Sequence, residues 1–131
     1  MARHPGHMKT TKDVSALKRR ALKIGGERFQ IPGVIECDLR DELPRQDWRD
    51  TPGAGARLLK MRTCGCHENA ARLALAYNWS CWTGLALSPD GVWRVHSWAM
   101  NRRGRIVETT VPRTHYLGVL LSRAATEDLL A

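Results

Sequence analysis

The 131-residue chain predicts an α+β domain in which a helix leads into an antiparallel β-meander. Three observations carry this. Cys66 to Asn78 lacks Gly and Pro and is rich in Ala and Leu, the composition of a strong helix. Val92 to Met100 alternates Val/Trp/Val with Arg/His/Ser, as a half-buried strand does. Two turn signals, Ser88-Pro89-Asp90-Gly91 and Asn101-Arg102-Arg103-Gly104, separate that strand from extended segments on either side.

Taken in order, Met1 to Lys9 reads as a flexible leader. Thr11 or Asp13 caps a helix that runs to about Ile24, where Gly25-Gly26 closes it. Val14, Leu17, Ala21 and Ile24 give it a narrow apolar stripe. Phe29 to Cys37 reads as a short extended segment broken at Pro32-Gly33, and Asp38 to Asp50 as charged chain with room for a short helix. Thr51-Pro52-Gly53-Ala54-Gly55 has loop composition. In the helix from Cys66, residues Ala70, Leu73, Ala74 and Tyr77 share one face, and the small alanines call for close packing on a sheet. Strands are expected at Trp82 to Leu87, Val92 to Met100, about Arg105 to Val111, and Tyr116 to Leu121, with Pro112 stopping the third. Thr126 can cap a short terminal helix. The organisation is a basic N-terminal arm and helix at 1–35 and a single α+β domain at 36–131.

The composition, 43% hydrophobic and 26% charged, excludes a wholly disordered chain. No apolar run reaches the roughly 18 residues of a membrane-spanning helix. Met1 to Lys12 is polar and basic with no apolar core of a secretory signal, so a cytoplasmic location and no membrane partner are expected. Of the net charge of +8, residues 1–30 carry +6. Such an arm can draw a protein to nucleic acid by counterion release, or serve as a solvated helix that keeps it soluble. Residues 1–28 hold no aromatic side chain to stack on bases, which favours the solvated helix.

Four cysteines stand at positions 37, 64, 66 and 81, and in a cytoplasmic chain they are expected as thiols. Cys66 differs from the others in starting a helix, where unpaired N–H groups favour a thiolate. Thr63-Cys64-Gly65 gives it an unobstructed approach. A thiol nucleophile needs a base and the base an orienting partner. His96 lies mid-strand between Val95 and Ser97, and Glu108 lies on the next strand. If Arg102-Arg103-Gly104 is a three-residue loop with Gly104 left-handed, position 98 faces 108, position 96 faces 110, and His96 and Glu108 become diagonal neighbours on one face. A two- or four-residue loop puts them on opposite faces.

Cys66-His67-Glu68-Asn69-Ala70-Ala71, Thr83-Gly84-Leu85-Ala86, His96-Ser97-Trp98, Gly104-Arg105-Ile106-Val107-Glu108-Thr109-Thr110 and Tyr116-Leu117-Gly118-Val119 form an ordered series. Over roughly residues 63–121 it resembles the transglutaminase-like branch of the papain-like cysteine protease superfamily, in particular its small bacterial and phage members. The resemblance implies a papain-like core, with Cys66 as nucleophile, His96 as general base and acid, and Glu108 in place of the usual orienting aspartate. Ser97 replaces the usual alanine. Cys64, Asn69 and Trp98 are expected to line the site, with Trp98 packing beneath it. The implied chemistry is amide or peptide hydrolysis, transamidation or deamidation through a thioester, on a protein or peptide substrate. The backbone N–H of Cys66 is a natural oxyanion donor.

Two other uses compete. Cys64, Cys66 and His67, with Cys81, His96 or His115, contain zinc-ligand residue types. Cys64-x-Cys66 is shorter than the usual knuckle and no second pair follows, so no metal and no cofactor are expected. The second is a non-catalytic binding or inhibitor protein, phage-encoded, on the same fold, whose basic surface contacts a protein or nucleic acid.

Overall fold

The apolar stripe of the N-terminal segment decides where the first helix lies: Leu17 and Ala21 are buried against a sheet, with Val14, Leu22 and Ile24 packed beside them. The structure, a computed structural model, describes residues 3–30, 42 and 45–131, with side chains from residue 13 onward. Helix α1 spans Arg3–Ile24 and is followed by strands β1 (Arg28–Gln30), β2 (Arg49–Pro52) and β3 (Arg57–Leu58). Then come α2 (Cys66–Tyr77), β4 (Ser80–Leu87), β5 (Val92–Met100), β6 (Ile106–Glu108), β7 (His115–Leu120) and α3 (Arg123–Asp128). Among the described residues no helix is long and apolar enough to cross a membrane.

The sheet runs β2-β7-β4-β5-β6-β3, and β1 adds to β5 in parallel. The architecture is α+β with a curled, mostly antiparallel sheet. The expected meander holds only for β4-β5-β6. Strand β7 crosses back to the other edge of β4, pairing Trp82 with Leu120 through Leu87 with His115. Strand β4 is buried on both faces, and a strand so placed needs neighbours on both edges to satisfy its backbone.

Strand alternation sorts the core into two faces. On one face α1 covers Leu85, Leu87, Trp93, Leu117 and Val119, joined by Trp48. On the same face α2 covers Cys81 and Leu121 with Ala70 and Ala74, and Ala99 and Val107 with Leu73. The small alanines let the helix sit close. Tyr77 departs from the expected buried face and stacks on Trp79 at the surface. The other face, inside the curl, holds Trp82, Ala86, Trp98, Ile106 and Tyr116.

Several local expectations change. Helix α1 begins at Arg3 and runs through the expected leader; Pro5 falls in its first turn, where a missing N–H costs nothing. Thr51 and Pro52 belong to β2, not to a loop: β2 pairs only with β7, and a strand edge tolerates proline. Strand β6 ends at Glu108 and not near Val111, because the Thr110 N–H turns back to the Glu108 carboxylate instead of joining a ladder. The last helix is capped by Ser122, whose hydroxyl accepts from the Ala125 N–H; Thr126 lies inside it and donates to the Ser122 carbonyl. Cys37 and most of the 31–48 readings lie outside the described residues.

Where β4 and β7 cross, Gly84 pairs with Gly118. A Cβ on Gly118 would stand 2.5 Å from the Thr83 carbonyl oxygen and 2.5 Å from the Trp98 ring. Gly118→Ala is expected to lower stability by roughly 1–3 kcal/mol, read as a lower urea midpoint at an unchanged slope.

Candidate active site

Cys66 is the first residue of α2, after Gly65 at the N-cap with no side-chain cap. The loop into it is shaped by Cys64, which takes a left-handed backbone (φ 63°). It is held by Asn69, whose Nδ2 donates to the Arg62 carbonyl at 2.7 Å while its N–H bonds the Gly65 carbonyl at 2.8 Å. Asn69 thus anchors the loop that presents Cys66, and Cys64 stands exposed beside it. Upstream, the N–H groups of Leu59 and Met61 donate to the carbonyls of Glu108 and Thr109. The chain that delivers Cys66 is therefore tied to the strand that delivers Glu108.

The β5–β6 hairpin pairs Ala99 with Val107 and Met100 with Ile106. Asn101 N–H bonds the Arg105 carbonyl and Gly104 is left-handed (φ 78°), so the loop is the three residues 102–104. That register puts His96 and Glu108 on one face. His96 Nε2 lies 2.8 Å from Glu108 Oε1 and 3.0 Å from Oε2, both side chains 2% exposed. The carboxylate is otherwise saturated: Tyr116 O–H donates to Oε1 at 2.8 Å, and the Thr110 N–H and O–H donate to Oε2 at 3.0 Å each. Arg113 Nε stands 4.0 Å from Oε1. Burial pushes the Glu108 carboxyl up, but the His96 hydrogen bond and charge, with Thr110 and Tyr116, outweigh it and bring its pKa down to about 2. Burial and the Glu108 charge raise the Tyr116 phenol far above its usual value, so it donates and stays neutral. Trp98 packs against the imidazole, ring centroids 6.1 Å apart, and against Tyr116 at 4.9 Å.

With Nε2 bound to Glu108, His96 has Nδ1 left for the sulfur. Burial alone raises the Cys66 thiol. Hydrogen bonds and charge from His67 and His96 more than offset this, and the thiol pKa falls to about 5. Burial lowers the His96 pKa, but Cys66 and Glu108 on its two nitrogens raise it on balance. Both shifts run toward the charged forms, thiolate and imidazolium.

The sheet has different partners on its two faces. By alternation His96 shares the inner face with Trp98 and Tyr116, whereas α2 packs on the outer face. Strand β1 pairs with β5 only as far as Arg94, and β6 begins to pair at Ala99. Between them the edge of β5 has no strand neighbour among the described residues.

Of the expected residues, His96 and Glu108 are in direct contact, Cys66 is coupled to His96 through its lowered pKa, and Trp98 packs against the imidazole. Cys64 and Asn69 shape the approach without bonding to the Cys66 thiol. Sequence reasoning did not give Tyr116 and Thr110 their part in holding Glu108, nor His67 its place at the sulfur. The Thr109-Thr110 pair after Glu108 was a usable signal; Tyr116 had none, since a strand tyrosine is ordinary core. Cys81 is buried on the outer face, its pKa pushed up to about 12 by burial despite a hydrogen bond with Thr126. No three His, Cys, Asp or Glu side chains converge on a metal position among the described residues. No family model, curated protein or solved structure matches the chain.

Iodoacetamide labelling of the native protein is expected to rise with pH about a midpoint near 5 at Cys66 and to leave Cys81 unmodified. Peptide mapping by mass spectrometry checks it; equal, slow labelling of Cys66 and Cys81 would exclude an activated thiol.

Proposed function

We propose that the protein is a cysteine-dependent acyl-transfer enzyme of papain-like, transglutaminase-like fold, acting on amide or ester carbonyls of a protein or peptide substrate. The observation that carries this reading is the buried Glu108 carboxylate 2.8 Å from His96 Nε2, together with a thiol at the first residue of a helix whose pKa falls to about 5 against the effect of its burial. Structural ion pairs also perturb pKa values, but a buried carboxylate that orients an imidazole, which in turn activates a thiol, is the arrangement nucleophilic catalysis requires.

In this reading the Cys66 thiolate attacks the carbonyl carbon, and the C=O electron pair moves to oxygen. The Cys66 N–H, free of a side-chain cap at the start of α2, donates to that oxyanion. The oxyanion collapses, the bond to the leaving group breaks, and His96 Nδ1–H supplies the proton that the departing amine or alkoxide takes up. A thioester and a neutral imidazole remain. Water, or an amine, then gives a proton to His96 as it attacks the thioester, and the thiolate leaves. Glu108 stabilises the imidazolium at each stage and keeps Nδ1 aimed at the reacting atoms. Thr110 and Tyr116 keep Glu108 ionised and in place. The longer glutamate side chain is no obstacle to the geometry, because its oxygens are fixed by donors on both sides. The thiol chemistry needs a reducing compartment, consistent with the cytoplasmic location expected from sequence.

The test is acylation by p-nitrophenyl acetate. One acetyl group per chain is expected on Cys66, released by hydroxylamine as a thioester is, and absent from Cys66→Ala. Glu108→Gln retains hydrogen-bonding groups but not the charge. It should lower turnover roughly 10²–10⁴-fold and move the acid limb of the pH profile upward, because a less stabilised imidazolium holds the thiolate less well. Acetylation that is as fast in Cys66→Ala as in the unaltered chain would exclude the reading.

A further inference from the structure

Among the described residues, the hydrogen bonds of the Arg113 guanidinium all go to neutral oxygens. Its Nε donates to the Val111 carbonyl at 3.2 Å, and its two terminal nitrogens donate to the Ser88 hydroxyl at 3.0 Å and, at a longer 3.4 Å, to the Thr110 hydroxyl. The side chain is 10% exposed, and Glu108 Oε1 stands 4.0 Å from Nε, beyond hydrogen-bond reach. Thr110 makes a second link, because the hydroxyl that accepts from Arg113 donates to Glu108 Oε2. The other cation on Ser88, Arg94, has its charge met by Asp90 at 2.9 Å. Arg113 has no such partner, and its charge is directed at Glu108. We propose that Arg113 is a positioning residue of the site: fixed by neutral oxygens beside Glu108, it draws part of the carboxylate's charge away from His96 and so eases release of the imidazolium proton.

The cation and the imidazolium compete for one negative charge. A buried carboxylate facing only the ring would hold a protonated imidazole strongly. The placement of Arg113 moderates that grip without breaking it. In direct contact with Glu108 it would take the lone pairs that His96, Tyr116 and Thr110 occupy, and out in solvent its charge would be screened. The other groups facing the pair cannot substitute for it. Tyr116, on β7, is neutral; Cys66, at the start of α2, acts on His96 in the opposite sense as a thiolate; Arg94, two residues before His96 on the same face of β5, is balanced by Asp90. The reach of the Arg113 charge into this cluster is felt at Tyr116: burial and Glu108 raise the phenol, and Arg113 acts against them.

The consequence for turnover rests on the acyl-transfer reading; the claim about His96 does not, and the experiment separates them. The readout is the NMR titration of the His96 imidazole in the full chain carrying Cys66→Ala, where no thiol titrates with the ring. Adding Arg113→Met should raise the His96 midpoint by about one unit. Arg113→Lys keeps the charge and should bring the midpoint more than halfway back. An arginine that only braces its turn would lower stability on replacement and leave the midpoint in place. Should Arg113→Met fail to fold, Arg113→Gln, which offers amide donors to the same oxygens without the charge, gives the same readout. A folded neutral variant whose midpoint is unaltered or lower overturns the proposal, as does a lysine variant no closer to arginine than methionine is. In chains that keep Cys66, the acetyl thioester is hydrolysed as neutral His96 takes a proton from water. Arg113→Met should therefore move that profile to higher pH by the same amount, roughly tenfold slower below the midpoint. If the titration shifts while p-nitrophenyl acetate is not turned over by any chain, the assignment of Arg113 stands and the acyl-transfer reading fails.

Discussion

The buried Glu108 carboxylate is the constraint around which this molecule is arranged. An ionised carboxylate removed from water is costly unless every lone pair is occupied, and a partly satisfied one would favour unfolding or protonation. Here one oxygen receives the His96 imidazole and the Tyr116 hydroxyl, and the other receives the Thr110 N–H and hydroxyl. These donors come from β5, β7 and the chain that leaves β6. Meeting them ends β6 at Glu108 and sends the chain away from the sheet, so the strand is short because its last residue is charged and buried. The linkage has a definite sign. The folded carboxyl titrates near 2 against an ordinary value of 4.5, so its contribution to stability is complete above about 4.5 and is lost as pH falls towards 2.

The same demand explains the packing beneath it. Tyr116 must stay neutral to donate, and burial beside an anion keeps it so. Trp98 fills the space between that ring and the imidazole and presses on β7 so closely that position 118 admits no side chain. Gly118 therefore serves the site at one remove: it lets an indole lie flat under the imidazole while β7 stays paired to β4. Arg113, held by the Val111 carbonyl and the Ser88 hydroxyl, adds a cation near the carboxylate, where it offsets negative charge without competing for a lone pair.

The parts of this arrangement legible in the sequence are those governed by local rules. Helix α2 was readable from propensity, and its start at Cys66 from the Gly65 that breaks the chain before it. The length of the β5–β6 loop was left open by the sequence, and the shared face of His96 and Glu108 followed by counting only for the three-residue form that the structure adopts. What was not readable depends on contacts between segments far apart. Nothing in Tyr116 distinguishes a phenol bound to a carboxylate from one in plain core. The crossing of β7 to the far edge of β4 leaves only a pair of glycines, Gly84 and Gly118, as its trace, and glycines in strands have several causes. The start of α1 was misplaced because a polar, basic segment has no apolar periodicity to mark a helix. The contact between His67 and the Ser97 hydroxyl joins a helix to a strand far along the chain and had no local signal.

Strand β5 carries polar groups on both of its faces, His96 on one and Ser97 on the other. A helix lying on one face of a complete sheet would be separated from an imidazole on the other face by a layer of backbone. Among the described residues that edge of β5 is paired by β1 at Val92 to Arg94 and by β6 at Ala99 and Met100, and the chain leading into α2 is tied to the Glu108 and Thr109 carbonyls. Glu108 and His96 meet on the inner face, and Ser97, Thr83 and His67 meet on the side that α2 covers. Two polar networks, one anchored on a carboxylate and one on a hydroxyl pair, are kept apart by the strand they share. Merging them on one face would set a second imidazole beside Glu108, where it would compete with His96 for the carboxylate. Keeping β5 between them leaves the Glu108 carboxylate to His96, Tyr116 and Thr110, with His67 on the Ser97 hydroxyl.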